Sequence, residues 1–279
     1  MRCLLFFLIV PFAHADALAG AWETFPTQNN NDAWNLYSYD DELVAPPLWA
    51  DTEVDPNPYA YSYFLGGEGV WFFADEFTAG GALVGDYGSV KISAVDVSVS
   101  IDPAEIDNID LAIYANGPAG PGYYFSELYL PEDLGTEPDW YGLRIRFDDL
   151  WYYFEETGPR SFTPSAAFLN SIEEVGLRVF PVSGVSNQAY VGIDDFILVP
   201  TVDAPGLSPA ADNGTFTLSF TPNPGVSATI QTLDPGSSWE AIPGQTALTG
   251  PQTYRTAADA ARKFFRVTTK EHLTQVVSP

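Results

Sequence analysis

Hydrophobic and polar positions alternate with a period of two through most of the first two hundred residues. Val95, Val97, Val99 and Ile101 alternate with Asp96, Ser98 and Ser100, and Ile109, Leu111 and Ile113 with Asp110 and Ala112. Leu143, Ile145 and Phe147 alternate with Arg144 and Arg146. Val175, Leu177 and Val179 keep the same period, as do Val191, Ile193, Asp195 and Ile197. A period of two puts successive side chains on opposite faces of a strand, so each run reads as a half-buried strand. Val90 and Ile92 lie on the opposite parity to Val95, which predicts a bulge or bend near Ala94. Gly and Pro punctuate the runs, as in the GPAGPG stretch at 117–122. One short helix is expected, with Thr163 as its cap, Pro164 in its first turn and Phe168, Leu169 and Ile172 as its apolar stripe. Strands, turn signals and almost no helix predict an all-β sandwich.

The pattern changes at a Pro-rich stretch, 199–209. Beyond it, 215–220, 228–232, 252–255 and 263–267 read as strands of a smaller, Ig-like or fibronectin-III-like sandwich. Charge changes there too. The chain carries 37 Asp and Glu against 11 Lys and Arg, a net charge of -26, and 31 of the acids precede residue 203. The expected organisation is a first sandwich over 20–200, a linker over 201–209, a second sandwich over 210–270 and a polar tail over 271–279.

The first fifteen residues, MRCLLFFLIVPFAHA, combine a basic start, an apolar run too short to span a bilayer and a small-x-small end. They read as a secretory signal peptide, with cleavage after Ala15 or after Ala19. Export would remove the single Cys and one of the two His, leaving His272, so the mature chain is expected to lack disulfides. No later stretch is apolar enough for a membrane helix. These counts leave too few ligands for a Cys/His zinc site and too few partners for Ser-His-Asp or Cys-His catalysis. The acidity argues against nucleic acid as a partner. A strongly acidic, Lys-poor surface also keeps a protein hydrated in salt.

Residues 70–88, with an aromatic pair, Phe77, Gly80 and the Tyr87-Gly88 step before a long alternating strand, resemble the start of a laminin IV (laminin B) domain. The stretch 168–172 followed by 175–179 resembles that family's short helix and "LxR" strand, and VGIDDFIL at 191–198 its closing strand. The same "IDDF" ending closes many jelly-roll carbohydrate-binding modules. The likeness covers about 60–200 and implies a jelly-roll sandwich. The WEAIPG run at 239–244 and FFRV at 264–267 resemble a C-terminal module of secreted bacterial proteins, which implies a structural or sorting appendage and no chemistry.

The resemblance also implies a structural Ca²⁺ between the first and closing strands, with Asp194 and Glu23 as the ligand pair. On strict alternation, one of Asp194 and Asp195 must face inward and so needs a partner. The acidic loop 51–57 fails the EF-hand pattern at its sixth and twelfth positions, Pro56 and Ser62. Sugar rings stack on flat side chains while their hydroxyls bond nearby carboxylates. The ligand-contact candidates on that ground are Tyr59, Tyr61 and Tyr63 on one strand face, Tyr123 and Tyr124, and Trp140; Trp71, Trp151 and Phe154 are assigned to the core or its edge. Jelly-roll glucanases carry E-x-D-x-x-E on one strand. The nearest run here, 102–107, contains Pro103. The expected function is therefore non-catalytic binding of an extracellular polysaccharide. The alternative is a structural or adhesive protein that binds another protein at the cell surface, and a glycoside hydrolase comes third.

Overall fold

The structure is a computed structural model; it describes residues 17–37, 43–50, 58–64, 69–126, 138–185, 189–212, 215–233, 238–257 and 264–276. The expected signal peptide, 1–15, and the 51–57 stretch lie outside these residues. The protein is all-β, as the alternation requires. The first sandwich has two layers. One is a seven-stranded sheet, here called the front sheet. Its main order is β10 (Asp139–Arg146), β7 (Ile92–Ile101), β14 (Tyr190–Pro200), β1 (Ala21–Glu23) and β21 (Thr274–Gln275). On it, β5 (Tyr59–Tyr63) also pairs with β14 and carries β4 (Leu48–Ala50). The back sheet has eight strands in the order β12 (Gly158–Phe162), β11 (Trp151–Glu155), β9 (Gly120–Ser126), β8 (Ile106–Gly117), β13 (Glu174–Pro181), β6 (Val70–Ala74), β2 (Asn35–Tyr37) and β3 (Leu43–Ala45). The chain crosses repeatedly between the layers, in the manner of a jelly roll.

The core between the layers is made by the alternating residues. Val95, Val97, Val99 and Ile101 face Leu111, Ile113, Val175 and Leu177, all buried. Register shifts where β14 meets Ala94 and Ile92, which is the irregularity the parity change predicts. Trp151 lies in the core and stacks on Phe147. Phe154, assigned to the core edge, is instead 66% exposed, because the β11–β12 hairpin carries it to the sheet's outer side. The short helix, α2, spans Ala166–Leu169 and starts two residues later than expected: Ser165, not Thr163, accepts the Phe168 N–H and caps it. A second short helix, α1 (Gln28–Asp32), is capped by Thr27.

One acid pattern departs from strict alternation. Asp194 pairs with Ser98 across β14 and β7, yet Ile197 pairs with Asp96, so one residue is extra. The extra residue is Asp195, at φ 50°, a bulge conformation. After it Phe196 and Leu198 point inward. The expectation that one of the two aspartates faces the core is therefore corrected. The bulge spares the core a buried charge and turns Asp195 outward, where its carboxylate accepts bonds from Trp22 Nε1 (2.8 Å) and Ser98 Oγ (3.4 Å).

The second sandwich has two three-stranded sheets. They are β15 (Ser208–Asp212), β16 (Thr215–Phe220) and β19 (Gln252–Ala257), and β18 (Glu240–Ala241), β17 (Val226–Leu233) and β20 (Phe264–Glu271). Leu218, Phe220, Ala228 and Ile230 form their shared core. The connector without secondary structure is 201–207. The segment expected as a polar tail does not hang free. His272 N–H bonds to Gly225 O, and β21 then runs parallel to β1 and puts Val276 into the first core. β1 otherwise offers an open edge, and edges gain by being covered.

Glu23 sits at that junction. Its carboxylate is buried and accepts bonds from Asn30 Nδ2 (3.0 Å to each oxygen) and the Phe25 N–H (2.8 Å). Burial raises its pKa above the ordinary 4.5 despite those bonds. The native state therefore holds this proton more tightly than the unfolded chain. Glu23's contribution to stability should fall as pH rises from 4.5 through its native pKa. A carboxyl-carbon NMR titration should place Glu23 above 4.5; a midpoint at or below that value would contradict this account.

Candidate functional site

The outward side of the front sheet carries the candidate site. Across four strands, Tyr61 pairs with Gly192, Gly192 with Ser100, and Ser100 with Trp140. Residues paired across a sheet share a face, so this row looks outward together. On β5, Ala60 and Ser62 point in and Tyr59, Tyr61 and Tyr63 point out. Gly192 lets the rings lie down: a Cβ there would come within 3.2 Å of the Tyr59 ring. Tyr59 thereby reaches over the sheet to Trp140, ring centroids 5.1 Å apart and edge to face. Tyr59 and Tyr61 are 5.9 Å apart, and Tyr61 and Tyr63 are 6.0 Å apart. Tyr190 pairs with Tyr63 and places its hydroxyl 3.3 Å from Ser100 Oγ. Trp140 keeps 40% of its surface in solvent, and Tyr63 and Tyr190 keep 44% each.

Trp140, Tyr190 and Ser100 also wall a groove of about 590 Å³, with Asp102, Glu105 and Asp139 at its rim. Asp102 accepts the Ala104 N–H and Asp139 the Trp140 N–H, each by one oxygen. No Lys or Arg lines this groove among the described residues. A second groove of about 400 Å³ opens further along the same face, with Ser98, Gly142, Asp96, Arg144, Asp195 and Trp22 among its walls. Arg144 bonds Asp96 through Nε (2.7 Å) and Nη2 (2.6 Å), and the Asp96 carboxylate raises its pKa.

Four of the six aromatic candidates therefore come together: Tyr59, Tyr61, Tyr63 and Trp140. Tyr123 and Tyr124 do not join them. They are neighbours on β9, so they point to opposite faces. Tyr124 is buried against Phe168 and Phe162 and donates its hydroxyl to Gly120 O, so its assignment as a contact residue is corrected to core. Tyr123 lies on the outer side of the back sheet, bonding Glu174 (2.7 Å) and packing against Trp71 and Phe73. Sequence reading missed Tyr190, Ser100 and Trp22. Tyr190 was recoverable, since it shares the parity of Gly192 and Asp194 in the closing strand.

The metal candidates are also separated. Glu23 pairs with Phe196 and faces the core, while Asp194 pairs with Ser98 and faces outward, its Oδ1 accepting the Asp195 N–H. The sheet stands between them, and Glu23 already accepts three side-chain and backbone bonds. The two do not share a cation. No group of three or more His, Cys, Asp or Glu placed to hold a metal occurs among the described residues. The carboxylates whose pKa burial raises, Glu23, Asp110 and Glu174, line neither groove. No helix among the described residues is long and apolar enough to cross a membrane.

No family model matches the chain, and no curated protein does. Among solved structures it is similar to a β-1,2-glucanase from Parabacteroides distasonis, at 13% identity and a TM-score of 0.32 over 86% of this chain. The chain corresponds to 34% of that enzyme's length. It is also similar to the K2 cleaved adhesin domain of Lys-gingipain, at 12% identity and a TM-score of 0.37, over 64% of this chain and 97% of that one.

Proposed function

We propose that the protein is an exported, non-catalytic polysaccharide-binding protein that holds its ligand on the outward face of the front sheet. The observation that carries this reading is the convergence of Tyr59, Tyr61, Tyr63 and Trp140, from strands about eighty residues apart, into one solvent-facing platform beside a carboxylate-rimmed groove. A contiguous solvent-facing aromatic patch rimmed by polar groups is the kind of surface that marks a ligand site. The C–H faces of a sugar fit flat rings, and the rim carboxylates accept its hydroxyls. The leader-like N-terminus supports export.

The test is a panel of immobilised polysaccharides probed with wild type and Trp140→Ala. Wild type should be retained by at least one of them. The variant should lose roughly thirtyfold in affinity, the effect of a central aromatic anchor, with its melting temperature kept. Equal retention of both proteins would contradict the reading. An adhesive role draws on one different feature, the outer side of the back sheet, where Phe154 is 66% exposed beside Phe125. A Phe154→Ser variant that lost attachment to cells while polysaccharide retention stayed intact would favour it.

A further inference from the structure

We propose that the ligand is an internal stretch of an uncharged, linear polysaccharide laid lengthwise along β7 and β10, rather than a chain end held in one pocket. The proposal rests on the polysaccharide reading above and adds the ligand's class and pose.

The two grooves are parts of one track. Along β7 the outward residues run Ser100, Ser98, Asp96, and along β10 they run Trp140, Gly142, Arg144, with Ser100 opposite Trp140, Ser98 opposite Gly142 and Asp96 opposite Arg144. The first groove takes Ser100 and Trp140, and the second takes Ser98, Gly142, Asp96 and Arg144. One step of two residues carries the floor from one groove into the next. From Asp102 to Asp96 the floor extends roughly 20 Å at the rise of a strand, the length of a short oligosaccharide rather than of one ring. The middle of that floor is small on its two strands, Gly142 and Ser98, with Asp194 opposite Ser98 on the adjoining strand. Its ends are aromatic, Trp140 at one and Trp22 at the other. Trp22 is held there by its bond to the bulged Asp195.

The charge of the track selects against anionic chains. Asp102, Glu105 and Asp139 border the first groove, and Asp96 and Asp195 the second. Among the described residues the one cation in these walls, Arg144, is engaged bidentately by Asp96 and lies 3.9 Å from Glu271. A uronate or sulfate ester would meet carboxylates with no cation left to answer it, on a chain of net charge -26. A neutral chain meets acceptors for its hydroxyls and rings for its faces.

Gly142 gives the test a clean variant. It lies in the middle of the floor, and a Cβ added there has no atom within 4 Å. Gly142→Leu should therefore fold and obstruct the passage between the grooves. Full-length protein is first run in gels containing mixed-linkage β-glucan, xylan, galactomannan or polygalacturonate. The ladder from disaccharide to hexasaccharide of the retained polymer is then titrated by calorimetry. The expected result is retention by a neutral polymer, affinity rising about tenfold or more along the ladder, and loss of most of that rise in Gly142→Leu. Equal affinity for disaccharide and hexasaccharide, or a rise that survives Gly142→Leu, would overturn the lengthwise pose and leave polysaccharide binding standing. Preferential retention by polygalacturonate would overturn the uncharged class. Retention by none of the four would overturn the polysaccharide reading and this inference with it.

Discussion

Arg178→Met is expected to destabilise the protein by about 3–5 kcal/mol, the cost of stranding one partner of a buried ion pair. Arg178 sits on the outer side of the back sheet, yet it is only 8% exposed, and its partner Asp110 only 1%. The guanidinium donates Nε to Asp110 Oδ1 at 2.6 Å and Nη2 to Oδ2. It also lies 3.5 Å from the Phe125 ring centroid and 4.8 Å from that of Trp71. Methionine keeps the packing volume of the stem but leaves the carboxylate buried without a cation. Burial already pulls the Asp110 pKa upward against Arg178. Without Arg178 it should rise further, so the variant's deficit should shrink as pH falls and Asp110 takes a proton. In melting temperature the loss at neutral pH is roughly 6–20 °C for a domain of this size. Arg178→Met combined with Asp110→Leu should recover much of it, because two apolar groups leave no charge unpaired. A single variant that melts within 2 °C of wild type would contradict this account of the back sheet.

Gly20→Ala is expected to cost about 2–5 kcal/mol, summing left-handed backbone strain and a steric clash. Gly20 stands at φ 81°, where a side chain is strained, and a Cβ there would lie 2.3 Å from His272 O. The close approach has a purpose: Gly20 N–H bonds Leu198 O, and Gly20 O accepts the Thr274 N–H. One glycine thus ties the entry of β1, the end of β14 and the returning β21. Gly225, at φ 67° and pressed against Ala19 O, makes the matching approach from the second sandwich. The Gly20→Ala cost should fall on the seam between the sandwiches, so the Thr274 and Val276 amides should exchange faster with solvent while those of Val97 and Val99 stay protected. Loss of protection throughout, or none at Thr274 and Val276, would contradict the seam.

The strands and the core were legible because each is half-buried, and half-burial leaves a period of two in the residues themselves. The outward placement of Tyr59, Tyr61 and Tyr63 follows from the same rule. Their meeting with Trp140 does not. It depends on strand order, with β5 beside β14, β14 beside β7 and β7 beside β10, and long-range pairing leaves no mark in local spacing. Parity also fails wherever a bulge intervenes. Reading Asp195 as in phase with Ile193 set an acid in the core; one extra residue at φ 50° removed it and brought Phe196 inward instead. The return of the C-terminus was illegible for another reason. It is anchored by backbone bonds, by the Gln275 amide donating to Thr24 Oγ1 and by the apolar Val276, none of which produces a pattern. Tyr124 was misplaced by treating two adjacent tyrosines as a unit, although in a strand neighbours face apart.

The central claim is that the front-sheet platform holds the ligand. Trp34, Trp71 and Trp151 are buried, whereas Trp140 lies on the platform and Trp22 at the far end of the track. The direct measurement is the tryptophan fluorescence of Trp22→Phe, which removes the other ring on the track, and of Trp22→Phe combined with Trp140→Phe, during titration with a polysaccharide that retains the protein. The account predicts a saturable change in Trp22→Phe that is largely absent from the double variant, while the double variant still binds. The same saturable change in both proteins would place the ligand elsewhere and contradict the account.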